Sequence, residues 1–274
     1  MTYLLILFNL TPVMENNYKR IEIMLGWACN NNCIFCAETW NRKRSIKEKC
    51  FFIDKGKIIS LLDSWRLKGA DHVTFLGGEP TINKNILYYL AYAKKIGYKT
   101  IFIATNARMC CNEDLVIKLV NNGLNETSVS FHGPDEESHD SATQSKGSFL
   151  QTYQGLINLI KHCENVMVNI LINKYNYKKL PDFMDLLSNL KLVRVLISYP
   201  IMIGNACDFK KLIPTYTELY KYIHKAIDKI KDKLKITIMN VPFCFLQGYE
   251  EYSDYLGYEN RKILKINCNH KMSI

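Results

Sequence analysis

Apolar, β-branched runs alternate with segments of helical spacing along most of the chain. The runs predict six buried strands and a seventh run of the same kind, at 21–25, 72–76, 100–104, 127–131, 166–172, 193–199 and 235–239. The segments between them predict amphipathic helices over 55–68, 85–95, 112–122, 149–162, 179–189 and 216–233. Strands that alternate with helices of this length indicate βαβ units and a parallel sheet. Periodicity alone does not distinguish an open doubly wound sheet from a complete or partial barrel.

The residues that follow each predicted strand are polar and rich in glycine. They are 26–36, 77–80, 105–106, 132–133, 173 and 200–206. In parallel α/β folds the carboxyl ends of the strands meet at one edge, where ligands bind. We therefore expect these segments to build the functional site together.

Three cysteines follow the first run in the sequence GWACNNNCIFCAE. Cys29, Cys33 and Cys36 form a C-x3-C-x2-C pattern, and three thiolates on one loop can hold a metal. A structural zinc ion needs a fourth ligand, and Cys50 lies fourteen residues beyond Cys36, past a charged stretch. Three cysteines suit a 4Fe–4S cube that leaves one iron open to a substrate or cofactor.

A second motif, LGGEP, follows the second run. Gly77 and Gly78 allow a ligand to approach the backbone closely, and the Glu79 carboxylate can accept hydrogen bonds from an ammonium group. Taken alone, GGE fits an ordinary turn with a surface glutamate better than a ligand site. Its position after the second strand, with the cysteine pattern after the first, makes the pair specific.

These two motifs resemble those of the radical S-adenosylmethionine (radical SAM) enzymes. Phe35 supplies the aromatic residue that this family prefers before the third cysteine. The resemblance implies an α/β fold, a partial (β/α)6 TIM-like barrel over about 20–239. It also implies a 4Fe–4S cluster on the three cysteines. S-adenosylmethionine would bind the open iron, with its amino group held at 77–79 and its adenine near the Phe35 backbone.

Six further positions resemble cofactor-binding positions of the family. They are Thr105, Asn106, Ser130, His132, Asn173 and Gly204. Asn173 matches a polar position near the ribose, and Gly204 lies where the adenine would pack. For His132, ligand contact and core packing both remain open. The resemblance implies reductive cleavage to a 5′-deoxyadenosyl radical that abstracts hydrogen, with no catalytic residue beyond the cluster.

The chain divides into an N-terminal extension (1–19), a core barrel (20–240) and a tail (241–274). The apolar N-terminus lacks a basic n-region and a clear cleavage site, and it is too short to span a bilayer. We therefore expect a cytoplasmic protein without a membrane partner, whose cysteines are free, catalytic or metal-binding. Met14 is an alternative start; otherwise the apolar stretch is an extra strand.

The tail resembles the start of an auxiliary-cluster (SPASM/twitch-like) region. Cys244 and Cys268 lie where several radical SAM enzymes begin such a domain, but the usual further cysteines at short spacing are missing. Cys207 and His270 are additional candidate ligands. We expect no complete auxiliary iron–sulfur cluster, because a stable site needs its full ligand count. The tail is then a cap on the barrel or a truncated domain.

Composition and charge narrow the function. Hydrophobic residues make up 48% of the chain and charged residues 23%, which excludes a disordered chain or a coiled coil. The net charge of +10 fits an acidic electron donor of the flavodoxin or ferredoxin type, or simply a soluble surface. The basic segment 42–49 is predicted to be a solvated loop, and His72, His139, His162 and His224 are predicted at the surface or an edge.

The tail's likeness to peptide-modifying members favours a radical SAM oxidoreductase that acts on a peptide or protein. One alternative is a radical SAM enzyme that modifies tRNA. Only the charge supports it, and no RNA-binding module is present, so a nucleic-acid partner is not favoured. The other alternative is a zinc-binding, non-catalytic interaction protein.

Overall fold

A computed structural model describes residues 20–254 of the protein. The predicted N-terminal extension, Cys268 and His270 lie outside the described residues. The described part contains seven strands, which are β1 (Arg20–Met24), β2 (His72–Leu76), β3 (Thr100–Thr105), β4 (Glu126–Ser130), β5 (Asn165–Leu171), β6 (Arg194–Ser198) and β7 (Ile236–Met239). Each lies on one of the predicted runs.

The seven strands form one parallel sheet in the order of the chain, from β1 to β7. Right-handed crossovers between successive neighbours place the main crossover helices on the same side of the sheet. A doubly wound sheet would instead reverse its strand order at a switch point. The unbroken order confirms the partial barrel, in which six βα units are followed by a seventh strand.

Nine helices connect the strands in the described part of the chain. They are α1 (Thr39–Glu48), α2 (Lys55–Leu67), α3 (Ile86–Lys95), α4 (Glu113–Asn121), α5 (Glu136–Thr143), α6 (Ser148–His162), α7 (Leu180–Ser188), α8 (Asn205–Asp208) and α9 (Tyr216–Ile230). Helices α2, α3, α4, α6, α7 and α9 occupy the predicted segments. Helices α1, α5 and α8 were not among the predicted helices.

The prediction of a loop at 42–49 is wrong, because most of this segment belongs to α1. Its large apolar side chains, Trp40 and Ile46, are 57% and 56% exposed, so α1 shows no apolar periodicity. Lysine, arginine and glutamate, which have high helix propensity, form the helix instead. Helix α5 begins at an Asp135 cap, whose carboxylate accepts from the Ser138 N–H at 2.8 Å.

Gln144 caps the carboxyl end of α5, and its φ of +53° is left-handed. Replacing Gln144 with glycine is expected to raise the free energy of unfolding by about 0.5–1 kcal/mol, because glycine adopts this conformation without strain. Urea denaturation measures the difference. Gln144→Ala is the control, since it keeps the strain and removes the bond from Nε2 to the Ser141 carbonyl. A less stable glycine variant would show that this bond outweighs the strain.

Helices cover one face of the sheet and leave the other face uncovered. Alternate side chains such as Ile23, Phe75, Ile103, Val168 and Ile197 are buried against the helices. The residues between them form the inner face, which the helices do not cover. From β1 to β7 this inner face carries Glu22, Met24, Thr74, Leu76, Phe102, Ala104, Ser128, Ser130, Met167, Asn169, Leu171, Leu196, Ser198, Thr237 and Met239. Most of these side chains are half-buried, so the inner face remains partly open to a ligand.

His139 is buried, which contradicts its predicted surface position. It packs against Phe131 and stacks on His132, and its Nδ1 accepts from the His132 backbone N–H at 3.0 Å. Burial lowers the pKa of His139 to about 3. Burial, followed by the charge of His139, holds the pKa of His132 well below its usual 6.5.

The lowered pKa values of His139 and His132 predict that acid destabilises the folded protein. The unfolded chain binds protons at histidine near pH 6.5, whereas folded His139 does not until about pH 3. Stability is therefore fully present above pH 6.5 and is lost as the pH falls towards 3. Between pH 7 and pH 5 one such histidine removes about 2 kcal/mol. His139→Gln should shrink the pH difference in urea-measured stability by this amount. An unchanged difference would show that folded His139 takes up the proton.

Candidate active site

The cysteine loop, residues 26–36, leaves the carboxyl end of β1 and crosses the edge where the strands end. Gly26 bridges to Phe52, and the Trp27 N–H donates to the Phe51 carbonyl at 2.9 Å. Cys29, Cys33 and Cys36 are all half-buried along this loop. The predicted placement of the cysteines at the carboxyl edge is thus observed.

Hydrogen bonds to three other parts of the chain hold the loop in place. The Glu79 N–H after β2 donates to the Ala28 carbonyl at 2.7 Å. Two loop N–H groups, at Asn32 and Ile34, donate to carbonyls at the end of α5 at 2.9 and 3.0 Å. After β6, Asn205 donates from its backbone to the Cys36 carbonyl at 2.9 Å and from Nδ2 to the Cys33 carbonyl at 2.8 Å. The loop is therefore preorganised by contacts distant in sequence.

Two arginines bind the loop as well. Arg42 on α1 donates to the carbonyls of Asn31 at 2.5 Å and Cys29 at 3.0 Å. Arg108, after β3, donates to the Asn30 carbonyl and to Asn31 Oδ1 at 2.8 Å. Sequence reasoning missed both residues, because carbonyl contacts of a single arginine leave no motif. Asn205 lies in the polar segment 200–206 but was not predicted as a site residue.

Burial changes the acidity of two of the cysteine thiols. Burial raises the pKa of Cys29 to about 11, although the Asn31 N–H and the Arg42 charge oppose this effect, and burial raises the pKa of Cys33 further. Ligation to a metal removes the thiol proton and offsets this cost. The Trp27 indole nitrogen is buried on the same loop without a partner among the described residues. The donor set and this orphaned N–H fit a bound cofactor.

The three cysteine thiols do not converge on one point. Among residues 20–254, no three His, Cys, Asp or Glu side chains converge closely enough to hold one metal ion. In a 4Fe–4S cube each cysteine binds a different iron, so the thiols need not converge on one point. The arrangement of the three cysteines suits the larger group.

The two glycines of the GGE motif allow β2 to end against the cysteine loop. Gly77 and Gly78 have φ values of +91° and +55°. A Cβ on Gly78 would lie 2.1 Å from the Ala28 carbonyl oxygen, and one on Gly77 would lie 2.8 Å from that of Gly26. Only glycine fits there, because the close approach is backbone to backbone.

Glu79 is 1% exposed and joins the ends of β2 and β3. Its Oε1 accepts from Thr81 N–H at 3.1 Å, from Thr81 Oγ1 at 2.5 Å and from Thr105 Oγ1 at 2.6 Å. Its Oε2 accepts from the Asn106 N–H at 2.7 Å. Burial raises the pKa of Glu79, although the four hydrogen bonds act to lower it. Thr105 and Asn106 thus lie beside Glu79, and Asn106 Nδ2 also reaches Asn30 Oδ1 at 2.7 Å.

The remaining predicted residues surround the same edge. Phe35 packs edge-on against His132, with ring centroids 4.8 Å apart, and His132 Nδ1 accepts from the Leu171 N–H at 3.1 Å. Gly204, with φ +59°, lies against the loop, since a Cβ there would be 2.4 Å from the Cys36 carbonyl. Ser130 is half-buried on the inner face.

Asn173 is also at this edge, but its side chain is used within its own turn. It is fully buried, and its Oδ1 accepts from the Tyr175 N–H at 2.9 Å while Nδ2 donates to the Leu171 carbonyl at 3.1 Å. Cys207 is half-buried on α8, and Cys244 is exposed after β7. The auxiliary-cluster question stays a prediction, because Cys268 lies outside the described residues.

Comparisons with known proteins agree with this geometry. The sequence model of the Radical SAM superfamily matches residues 24–187, which is more than half of the chain. The chain belongs to the radical SAM superfamily, a family of enzymes that use a 4Fe–4S cluster and S-adenosylmethionine. Among residues 20–254, no helix combines the length and apolar character that a membrane crossing requires.

The chain is similar to curated proteins of different activity. It is 29% identical over 177 residues to the Fe-coproporphyrin III synthase of Methanosarcina barkeri, covering 64% of this chain and 42% of that protein. It is 24% identical over 208 residues to a probable GTP 3′,8-cyclase of Saccharolobus islandicus, covering 75% of this chain and 64% of that protein. The chain thus spans less than two thirds of each relative.

Solved structures share the fold. The chain aligns with Streptococcus suis SuiB bound to the precursor peptide SuiA at a TM-score of 0.65 and 18% identity, covering 85% of this chain and 51% of SuiB. SuiB bound to S-adenosylmethionine gives a TM-score of 0.63 at 16% identity, covering 85% of this chain and 52% of that chain. At these identities the likeness shows the fold alone.

Proposed function

We propose that Cys29, Cys33 and Cys36 bind the 4Fe–4S cluster, and that S-adenosylmethionine binds beside it at the carboxyl edge of the sheet. When bound, these groups supply a 5′-deoxyadenosyl radical that abstracts a hydrogen atom from the substrate. The single observation that carries the proposal is a three-cysteine loop tied by hydrogen bonds to the ends of the neighbouring strands.

The chain's own residues orient the cofactors and exclude water. The Gly77 and Gly78 backbone faces the cysteine loop and would hold the amino group of S-adenosylmethionine. The Glu79 carboxylate accepts four protein hydrogen bonds but only one at Oε2, so it mainly fixes the strand ends and keeps acceptor capacity at Oε2. Phe35 and Gly204 would line the adenine side.

Thr105, Asn106, Ser130 and His132 would complete the cofactor pocket. Thr105 and Asn106 are held by their hydrogen bonds to Glu79, and the His132 ring packs against the Phe35 ring. Asn173 would act through the backbone turn that it shapes, because its side-chain groups are bonded within that turn. Preorganised contacts of this kind hold reacting groups in place without reorganisation during the reaction.

A peptide or protein is the proposed substrate. The similar fold of SuiB in complex with its precursor peptide supports this choice. The proposed electron donor is an acidic flavodoxin or ferredoxin, which would dock near α1, where Arg44 and Lys47 lie close to the cysteine loop in sequence.

Anaerobic reconstitution followed by reduction with dithionite tests the proposal. We expect about four irons and four sulfides per chain. We also expect 5′-deoxyadenosine from added S-adenosylmethionine, detected by liquid chromatography with mass spectrometry. Zinc in place of iron, with no 5′-deoxyadenosine, would contradict the proposed enzymatic function and favour the non-catalytic, zinc-binding protein.

A further inference from the structure

The carboxyl half of the inner face carries a row of uncharged polar side chains. We call Ser128, Asn169, Ser198 and Thr237 the polar strip. In the strand register, Ser128 lies opposite Met167, two residues before Asn169. Asn169 lies opposite Leu196, two residues before Ser198, and Leu196 lies opposite Thr237. The strip therefore crosses β4 to β7. It lies just inside the edge where the cysteine loop crosses the sheet.

The polar strip has unused hydrogen-bonding capacity. The Ser198 hydroxyl donates to Asn169 Oδ1 at 2.8 Å, which fixes the orientation of the amide. Within residues 20–254 nothing accepts from Asn169 Nδ2, and the hydroxyls of Ser128 and Thr237 also have no partner. All three residues are half-buried. Half-buried donors without a protein partner can bond to water or to a ligand on the inner face.

Charged side chains of the inner face lie at the other end of the strands. Arg20 and Glu22 pair at 3.2 Å on β1, and Glu126 accepts from Asn165 where β4 and β5 begin. Arg194 begins β6, four residues or about 13 Å before Ser198. The positive and negative groups balance there, and the inner face near the cysteine loop carries no ionisable side chain in the described residues.

We propose that the polar strip binds an uncharged hydrogen-bond acceptor of the substrate, such as a peptide carbonyl or a carboxamide, through Asn169 Nδ2. This inference rests on the proposed function and defines its substrate: the reacting segment is neutral. A triphosphate or a set of porphyrin carboxylates would lie against uncharged groups here, and burying unpaired anions is costly. The strip therefore favours a peptide over the GTP or coproporphyrin in the relatives' names.

The test measures binding to the full chain after anaerobic reconstitution in the presence of S-adenosylmethionine. The probes are GTP, coproporphyrin III and a pool of N-acetylated, C-amidated heptapeptides without ionisable residues, with retention after equilibrium dialysis read by mass spectrometry. We expect members of the peptide pool to be retained above both anions. Asn169→Leu should weaken this retention about 5- to 10-fold, because one ligand hydrogen bond is lost.

Further variants keep the test independent of folding. Thr237→Val removes a hydroxyl at constant shape and should weaken retention several-fold, while Asn189→Leu, on the exposed end of α7, should not change it. Asn169→Asp should weaken peptide retention like Asn169→Leu. Iron content and S-adenosylmethionine binding should be equal in all variants.

Three results would overturn the inference. They are retention of GTP or coproporphyrin above every peptide, no retained peptide at all, and peptide retention unchanged by Asn169→Leu. Stronger retention by Asn169→Asp would point to a cationic ligand and would equally contradict it. Absence of iron and of S-adenosylmethionine binding in the unmodified chain would instead overturn the proposed function, so the two failures are distinguishable.

Discussion

Replacing Cys33 with serine is expected to reduce the iron bound after anaerobic reconstitution from about four atoms per chain to near zero. Burial raises the pKa of the Cys33 thiol, and the Cys33 carbonyl accepts a hydrogen bond from Asn205. Serine keeps the size and the backbone contacts but is a poor iron ligand. Iron and sulfide analysis, with the absorbance of the cluster, measures the loss.

The control for this variant is Cys111→Ser, because Cys111 is exposed and lies outside the cysteine loop. It should keep its iron, and both variants should unfold at the same urea concentration as the unmodified chain. If Cys33→Ser retained about four irons, the cluster would lie elsewhere in the protein and the assignment of the loop would be wrong.

Replacing Glu79 with alanine is expected to lower the free energy of unfolding by about 3 kcal/mol and to weaken S-adenosylmethionine binding. The reason is that the side chain is buried and accepts from the backbone N–H groups of Thr81 and Asn106 and from two hydroxyls. Each buried donor left without a partner costs about 1–3 kcal/mol, and the hydroxyls can partly reorient. Urea denaturation and equilibrium dialysis with S-adenosylmethionine measure the two effects.

Glu113→Ala is the matched control, since Glu113 is a surface carboxylate paired with Lys161 and His162. Such exposed pairs contribute about 0–1 kcal/mol, so this variant should remain near the stability of the unmodified chain. An equal loss in both variants would show that the buried bonds of Glu79 do not hold the strand ends. Normal S-adenosylmethionine binding by Glu79→Ala would remove Glu79 from the proposed cofactor pocket.

Several features could be read from local pattern because their causes are local. The strands and most helices follow from apolar periodicity, and the cysteine spacing and the GGE motif each lie within one short segment. Helix α1 could not be read in this way, because Trp40 and Ile46 remain exposed and leave no apolar stripe. His139 was misplaced for a related reason: one polar residue in a charged segment does not show what will pack against it.

The sequence by itself determined the alternation of strands and helices, the family motifs and the position of the cysteines at a strand end. Tertiary structure alone decided how that loop is held, since Arg42, Arg108 and Asn205 reach it from separate elements. It also decided that Glu79 joins two strand ends and that the polar strip is free of charge. Such contacts join residues far apart in the chain, and their geometry exists only once the parallel strands lie side by side in register.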